Sequence, residues 1–428
     1  MKAAVVAEWY PSPGDPVHGI WAHRQAMAAA AAGVETVVLA LRRPVPPLSV
    51  ARKLAQLPPD LRALGGWGRD ARRALRPAEL DGIRVEPVPW IGPPRPISYG
   101  SWGYWMAPAL GRALDRLYEH WRFNVLHAHC LAPAGHAAAR WVRRRDKRLG
   151  VERRLTMPAF AVSAHGPDLF DVPDRSPVGR RACVVALETA DLVIANSGWA
   201  EHRCEEIAGH SLPAAVVHLG ADVPPAAVAG GRVGDRHELA LVTIAHLQPR
   251  KRHATVLRAL ALLAPEIRPT YLVIGDGEER EPLERLALQL GLGDRVRFTG
   301  QLPNEQALRE LAGCDLFVMP GVQEPFGVAF VEAMAAGLPA IGGRGEGGPQ
   351  DIVAAGEGML LATPGDAHEL AELLRRLHRD RDELRRLGAA ARQTVAANFT
   401  WEACGERTVA AYDEAVRHRE AARIAQPA

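Results

Sequence analysis

The sequence lacks what a cross-linked, metal-built or membrane-spanning protein needs. Cys130, Cys183, Cys204, Cys314 and Cys404 are odd in number, scattered, and form no CxxC pair. That excludes a disulfide framework and a four-cysteine zinc site, and it fits reduced thiols. No cluster of His, Cys, Asp and Glu has metal-ligand spacing, so no metal is expected. Long hydrophobic runs are missing too: stretches such as Ala26–Ala32 fall far short of the ~20 residues of a membrane span. Lys2 leads into a strand-like run and not into a signal-peptide core with a small-residue cleavage site, so the expected location is cytoplasmic. The 40 glycines and 34 prolines follow no Gly-X-Y period.

What is present is ordinary globular material. The 428 residues are 48% hydrophobic and 24% charged, enough for two buried cores. At roughly 100–200 residues per domain, two or three domains are expected. Net charge is only +3, but residues 1–222 carry 28 basic against 21 acidic residues, and the remainder 24 against 28. The excess concentrates in Arg42–Arg76 and Arg140–Arg154. A solvated Arg-rich surface is one reading; a face for anionic lipid or a phosphorylated acceptor, peripheral at the inner membrane face, is the other. No motif for nucleic acid accompanies the charge.

Short apolar runs alternate with helical patterns. Strands are expected at Ala3–Ala7, Thr36–Leu41, Val125–His127, Phe160–Ser163, Leu192–Ala195 and Ala215–His218, with helices between them. The Pro/Gly/Ala-rich residues 223–238 read as a linker. The alternation restarts at Leu239–Ala245 and continues through Thr270–Ile274, Val296–Thr299, Leu316–Met319 and Pro339–Ile341, before an almost entirely helical tail. This predicts an α/β chain of two Rossmann-like doubly wound parallel-sheet domains, residues 1–222 and 239–399. In such sheets ligands bind at the carboxyl ends of the strands, and a cleft between two domains is the default site.

Two motifs mislead. Gly343, Gly345 and Gly348 spell G-x-G-x-x-G, but Pro349 follows at once and Gly356 is close behind, so no crossover helix is expected there. Asp380-Arg381-Asp382 spells D-x-D inside the charged run Arg375–Arg386, which reads as a solvated helical face.

The informative phrase is Pro320–Pro339, PGVQEPFGVAFVEAMAAGLP. Glu324 sits in a loop after a strand, and Glu332 lies eight positions later on the helix the loop opens. The loop end offers free N–H groups to an anion, and Glu332 could bind a diol. Read alone, Glu324 would be a helix cap and Glu332 surface charge. The whole phrase resembles the E-x7-E signature of the family 4 retaining glycosyltransferases. Gly347-Gly348-Pro349-Gln350-Asp351, Leu272–Arg280, Phe298-Thr299-Gly300, Ser163–Asp168 with its His-Gly-x-Asp element, Val217–Asp222 and Pro11–Ile20 are similar to further landmarks of that family, across most of the chain.

The resemblance implies the two-domain GT-B fold, with a C-terminal helix (400–425) packing back on the first domain, which binds acceptor, while the second binds donor. It implies a nucleotide-diphosphate sugar, UDP- or GDP-linked, and no cofactor. Glu332 would bind the donor ribose, Glu324 the transferred sugar, and the N–H groups of Phe326 and Gly327 the sugar and diphosphate. Lys251 would hold the diphosphate, Gly19 would let the first loop approach it, and His165 would lie near the reacting carbon, so that Lys251, His165 and Glu324 form the catalytic set. Where the family has Gly-Arg-Leu this chain has Ala245-His246-Leu247; His246, Arg250 or Arg252 would have to replace the missing cation. His129 and Trp102 are candidates for the acceptor side, with core packing the alternative for each. The expected activity is metal-independent transfer to a cell-surface polysaccharide or lipid-linked glycan, or to a small secondary metabolite. A GT-B epimerase or hydrolase and an inactive partner subunit are the rivals.

Overall fold

A computed structural model of the chain describes residues 1–46, 61–148, 157–224, 238–263 and 267–424. Most of the expected linker, and parts of both basic stretches, lie outside the described residues. The chain divides into two compact units, Met1–Val217 with Cys404–Ala428, and His218–Ala403.

Among the described residues the first unit is built on eight strands: β1 (Lys2–Ala7), β2 (Glu35–Arg42), β3 (Ala78–Leu80), β4 (Ile83–Pro89), β5 (Val125–His129), β6 (Ala159–Ala164), β7 (Leu192–Ala195) and β8 (Ala214–Val216). They lie in the order β3-β4-β2-β1-β5-β6-β7-β8, parallel except for the β3–β4 hairpin. Period-two alternation splits β1 between two cores. Ala4 and Val6 face a layer with Leu39, Leu126, Trp102 and Trp141, whereas Val5 and Ala7 face one with Val38, Tyr10 and Ala22. β3 and β4 are not among the expected strands: β3 is only three residues long, and β4 contains Pro87 and Pro89, which argue against a strand. The hairpin closes through Asp81 and Gly82, both at positive φ (48° and 79°), the Asp-Gly signal of a two-residue turn.

From Cys404 onward the helix Trp401–Ile424 belongs to this unit. Gly405 is needed there, since a Cβ would lie 2.3 Å from the Ala28 carbonyl oxygen. Gln25 donates to the Thr408 hydroxyl at 3.1 Å, Tyr412 bonds His127 at 2.8 Å, and Arg419 pairs with Asp146 at 2.7 Å.

The second unit carries β9 (Glu238–Ile244), β10 (Arg268–Ile274), β11 (Val296–Gly300), β12 (Leu316–Met319), β13 (Ala340–Gly343) and β14 (Met359–Ala362). Their order is β11-β10-β9-β12-β13-β14, all parallel. The core gathers Leu241, Val256, Leu260, Val273, Val318, Ile341 and Leu374. One expectation is corrected here: a helix, Gly347–Ala355, does begin at the glycines after β13. Pro349 stands in its first turn, where the missing N–H has no intrahelical partner to lose and the fixed φ suits the helix. Asp380 of the D-x-D caps the helix Arg381–Asn398, accepting from the Glu383 N–H at 2.8 Å, and Asp382 pairs with Arg385.

Each sheet reverses its strand order once, between β1 and β5 and between β9 and β12. The carboxyl ends of those strands are where open parallel sheets accept ligands.

Candidate functional site

In the second unit both strands at the reversal deliver charged loops. β9 runs into Ala245–Gln248 and a single 3₁₀ turn, Pro249–Lys251. β12 runs into residues 320–327. Val322 N–H donates to the Arg250 carbonyl at 2.8 Å and ties the two loops together. Lys251 and Glu324, 73 positions apart, meet as a buried ion pair, each 8% exposed, through Nζ and Oε2. Arg250 lies 3.6 Å from the same carboxylate oxygen and donates to the Gln323 carbonyl at 3.1 Å. Burial pulls the Lys251 ammonium down from its ordinary value, and the attraction of Glu324 opposes that.

The loop holding Glu324 is pinned from several sides. Gln323 and Gly327 take positive φ, 54° and 87°. The Glu324 carbonyl accepts from the Gly348 N–H at 3.1 Å, and Glu324 N–H donates to the Glu346 carboxylate at 3.1 Å. Gly348 cannot be replaced without moving the loop, because a Cβ would sit 1.9 Å from the Phe326 carbonyl oxygen. Phe326 is buried and stacked on His218, ring centroids 5.4 Å apart, and His218 bonds Asp351 at 2.9 Å. Glu324 therefore does not cap the following helix: its carboxylate is spent on Lys251. Glu332 lies on the helix Val328–Ala335, half-buried, and accepts from Asn304 Nδ2 at 3.2 Å. His246 is exposed, with its ring 3.4 Å from the Asp276 carbonyl oxygen. Arg252 is exposed at positive φ, 57°.

The sequence reading missed Glu346 as a partner of this loop. Burial raises its carboxyl from the ordinary value. Its only sequence signal is its place before Gly347-Gly348-Pro349, at the N-terminal cap of the helix those residues open.

In the first unit the reversal gathers histidines. His129 Nδ1 and His165 Nε2 share a hydrogen bond of 3.0 Å. Asp168 is buried and fixes the loop after β6, accepting from the N–H groups of Leu131 (2.9 Å), Gly166 (2.8 Å) and His165 (3.2 Å). The Trp21 ring covers His165, centroids 4.0 Å apart. Gly19, φ 73°, permits a close approach, but of the chain to itself: a Cβ would lie 2.2 Å from the Trp9 carbonyl. Trp102 is corrected from acceptor platform to core residue. It is 5% exposed, packs on Trp90 and Tyr99, and donates to the Pro93 carbonyl at 2.9 Å. Tyr104 and Trp105, on the same helix Trp102–His120, are exposed.

His127 is structural. Fully buried, it joins Tyr412 to Ser163 (2.8 and 2.7 Å), and burial holds its imidazole down to about 3. His165 is likewise held down to about 3 by burial, with His127 adding to it. Between about pH 3 and 6.5 such rings bind protons in the unfolded chain but not in the folded one, so their contribution to stability is lost as pH falls through that window. Glu8, pushed by burial up to about 7, acts in the opposite sense from about 4.5 to 7. The unfolding temperature of His127→Gln should therefore fall less between pH 6.5 and pH 4.5 than that of the parent chain. Equal slopes in thermal melts at the two pH values would overturn this account.

Among the described residues, no group of three or more His, Cys, Asp and Glu could hold a metal ion. No helix among them is long and apolar enough to cross a membrane.

Residues 235–394 match the family described as Glycosyl transferases group 1. The chain is 32% identical over 297 residues to a 2-deoxystreptamine glucosyltransferase of Streptomyces kanamyceticus, covering 64% of this chain and 72% of that protein. It is 31% identical over 233 residues to an MMP alpha-(1->4)-mannosyltransferase of Mycolicibacterium hassiacum, 54% of this chain and 56% of that one. The chain thus spans little more than half the length of the second relative. Among solved structures, a sucrose-phosphate synthase of Thermosynechococcus elongatus superposes with a TM-score of 0.73 at 20% identity, covering 96% of this chain and 98% of that one.

Proposed function

The chain belongs to the group 1 glycosyl transferases, of family 4 type with a GT-B fold, and from that premise we propose that it moves a sugar from a nucleoside-diphosphate sugar to an acceptor hydroxyl, with retention at the transferred carbon and without a metal. The observation that carries this reading is the buried Lys251–Glu324 pair at the strand-order reversal of the second sheet, with the Glu324 loop locked by Gly348, Glu346 and Phe326. A cation and a carboxylate brought together by two loops that are tied to each other suit a ligand with an anionic end and a hydroxylated end.

In this reading the second unit holds the donor, UDP- or GDP-linked. Lys251 and the adjacent Arg250 meet the charge that grows on the leaving diphosphate. Arg250, already beside Glu324, takes the place of the family cation that His246 leaves vacant. N–H groups of Phe326 and Gly327 add donors, Glu324 orients the sugar, and Glu332 binds the ribose. The acceptor hydroxyl attacks from the face the diphosphate leaves, and a donor phosphate oxygen takes its proton. The first unit, with His165 and His129 on its rim, holds the acceptor. A glycan of the cell surface or a lipid-linked intermediate is the first acceptor class; exposed arginines on the helix Leu61–Ala74 suit a peripheral position on anionic lipid. The relative named for 2-deoxystreptamine supports a small cyclic acceptor as the second.

The test is calorimetric titration with UDP, GDP, UDP-glucose and GDP-mannose, followed by turnover in excess chelator and product analysis by NMR. Nucleotide binding, chelator-resistant transfer and a retained anomer are expected. Binding to none of the four, or loss of turnover that added metal restores, would overturn the corresponding part.

A further inference from the structure

The first unit holds a carboxyl that none of the roles above uses. β1, β5 and β6 pair in register, Val6 opposite Ala128 and His129 opposite Ser163. Glu8, Cys130 and His165 are consequently the first residues past the carboxyl ends of three adjacent strands, at the reversal of the sheet. Tyr99 OH donates to Glu8 Oε2 at 3.0 Å. The Arg95 guanidinium lies over the Tyr99 ring at 4.4 Å and the Trp9 ring at 5.3 Å. Farther along the rim the Trp21 ring stands beside His165 and His129, 4.0 and 5.4 Å between centroids. His165 Nδ1 and Asn196 Oδ1 are buried there with no hydrogen-bond partner among the described residues. Buried polar atoms are almost always satisfied, so these two give the rim hydrogen-bonding capacity that its own side chains leave unused.

We propose that Glu8 recognises the hydroxyls of a neutral polyhydroxylated ring, a sugar or cyclitol, held against the half-exposed faces of Trp9 and Trp21 on the rim of the first sheet. The inference deepens the acceptor side of the proposed function and rests on that reading. The chemistry selects the class. Flat aromatic faces with a few fixed polar groups suit a ring that is apolar on its faces and hydroxylated at its edge. A carboxyl disfavours a phosphate. An ammonium would need that carboxyl ionised, whereas burial holds it up to about 7 and Arg95 already supplies the nearby positive charge. A carboxyl that can both accept and donate near neutrality matches a hydroxyl, which does the same.

The test uses the full chain and two probes, myo-inositol and methyl α-D-glucopyranoside, in saturation-transfer NMR, with UDP and GDP titrated calorimetrically into the same samples. At least one probe should bind the parent chain, and Glu8→Gln should weaken it about tenfold, the scale of one hydrogen bond to a partly charged group, leaving nucleotide affinity unchanged. Tyr99→Phe, which removes only the hydroxyl that orients Glu8, should weaken it by a smaller factor and carries the test if Glu8→Gln fails to fold. No binding of either probe to the parent chain overturns the inference, as does undiminished binding to both variants. If the probes bind in a Glu8-dependent way while neither nucleotide binds, the polyol site stands and the donor reading falls.

Discussion

Lys251→Ala should reduce turnover by about 10²–10³-fold, the cost of removing one donor aimed at charge that develops in the transition state. The structure adds a condition the sequence did not contain. Lys251 is buried and already paired with Glu324 before any donor arrives. Removing one member of a buried pair leaves the other charge uncompensated, typically a cost of about 3–5 kcal/mol. Here Arg250, 3.6 Å from the same oxygen, offsets part of that. The variant should melt earlier than the parent chain yet remain folded, and its affinity for nucleoside diphosphate should fall much less than its turnover. Lys251→Arg should not restore the rate, since a planar fork does not fit where a compact ammonium was packed. Steady-state turnover, calorimetry and thermal melts on the same preparations separate these effects. Near-normal turnover for Lys251→Ala would remove Lys251 from the chemistry and leave it as the neutraliser of Glu324. Turnover restored by Lys251→Arg would show that charge alone matters at this position.

Much of the architecture was legible because it is periodic. Leu192–Ala195 and Leu316–Met319 are short, fully apolar runs bounded by turns, and as strands of buried parallel sheets they fall where such runs must. Residues whose placement depends on partners distant in the chain were not legible. Glu346 looks like one more charge in a glycine-rich loop; its role appears only when folding brings the Glu324 N–H to it. Nothing local to Lys251 or Glu324 says that they pair, because the pairing is made by the adjacency of β9 and β12. Gly347–Ala355 reads against a helix for its proline and its brevity, yet a first-turn proline costs a helix nothing. Trp102 shows the reverse case. An aromatic-rich segment near a predicted site invites a binding role, but the hydrophobic demand of the core claims the residues that face inward and leaves Tyr104 and Trp105 outside.

The two glutamates of the E-x7-E phrase should separate cleanly by variant. Glu332 is half-buried and accepts from Asn304 Nδ2 at 3.2 Å. If it binds ribose, Glu332→Gln removes one acceptor from a diol, and affinity should fall for nucleoside diphosphate and full donor alike, by about tenfold for one hydrogen bond to a charged group. Glu324 differs on both counts. Its carboxylate is held by Lys251, and a sugar hydroxyl reaching it competes with or joins that pair. Glu324→Gln should therefore spare nucleoside diphosphate binding, because it frees the ammonium for the diphosphate. It should lower turnover more than Glu332→Gln does, because the transferred sugar loses its orienting partner and misplacement of reacting atoms is costly. Nucleoside diphosphate should bind Glu324→Gln at least as tightly as the parent chain, a result that a purely structural role for Glu324 would not produce. Calorimetry with UDP and GDP and steady-state turnover for both variants decide the matter. Loss of nucleotide binding in Glu324→Gln with its retention in Glu332→Gln would reverse the two assignments, and unchanged turnover in both would move the active site away from this loop.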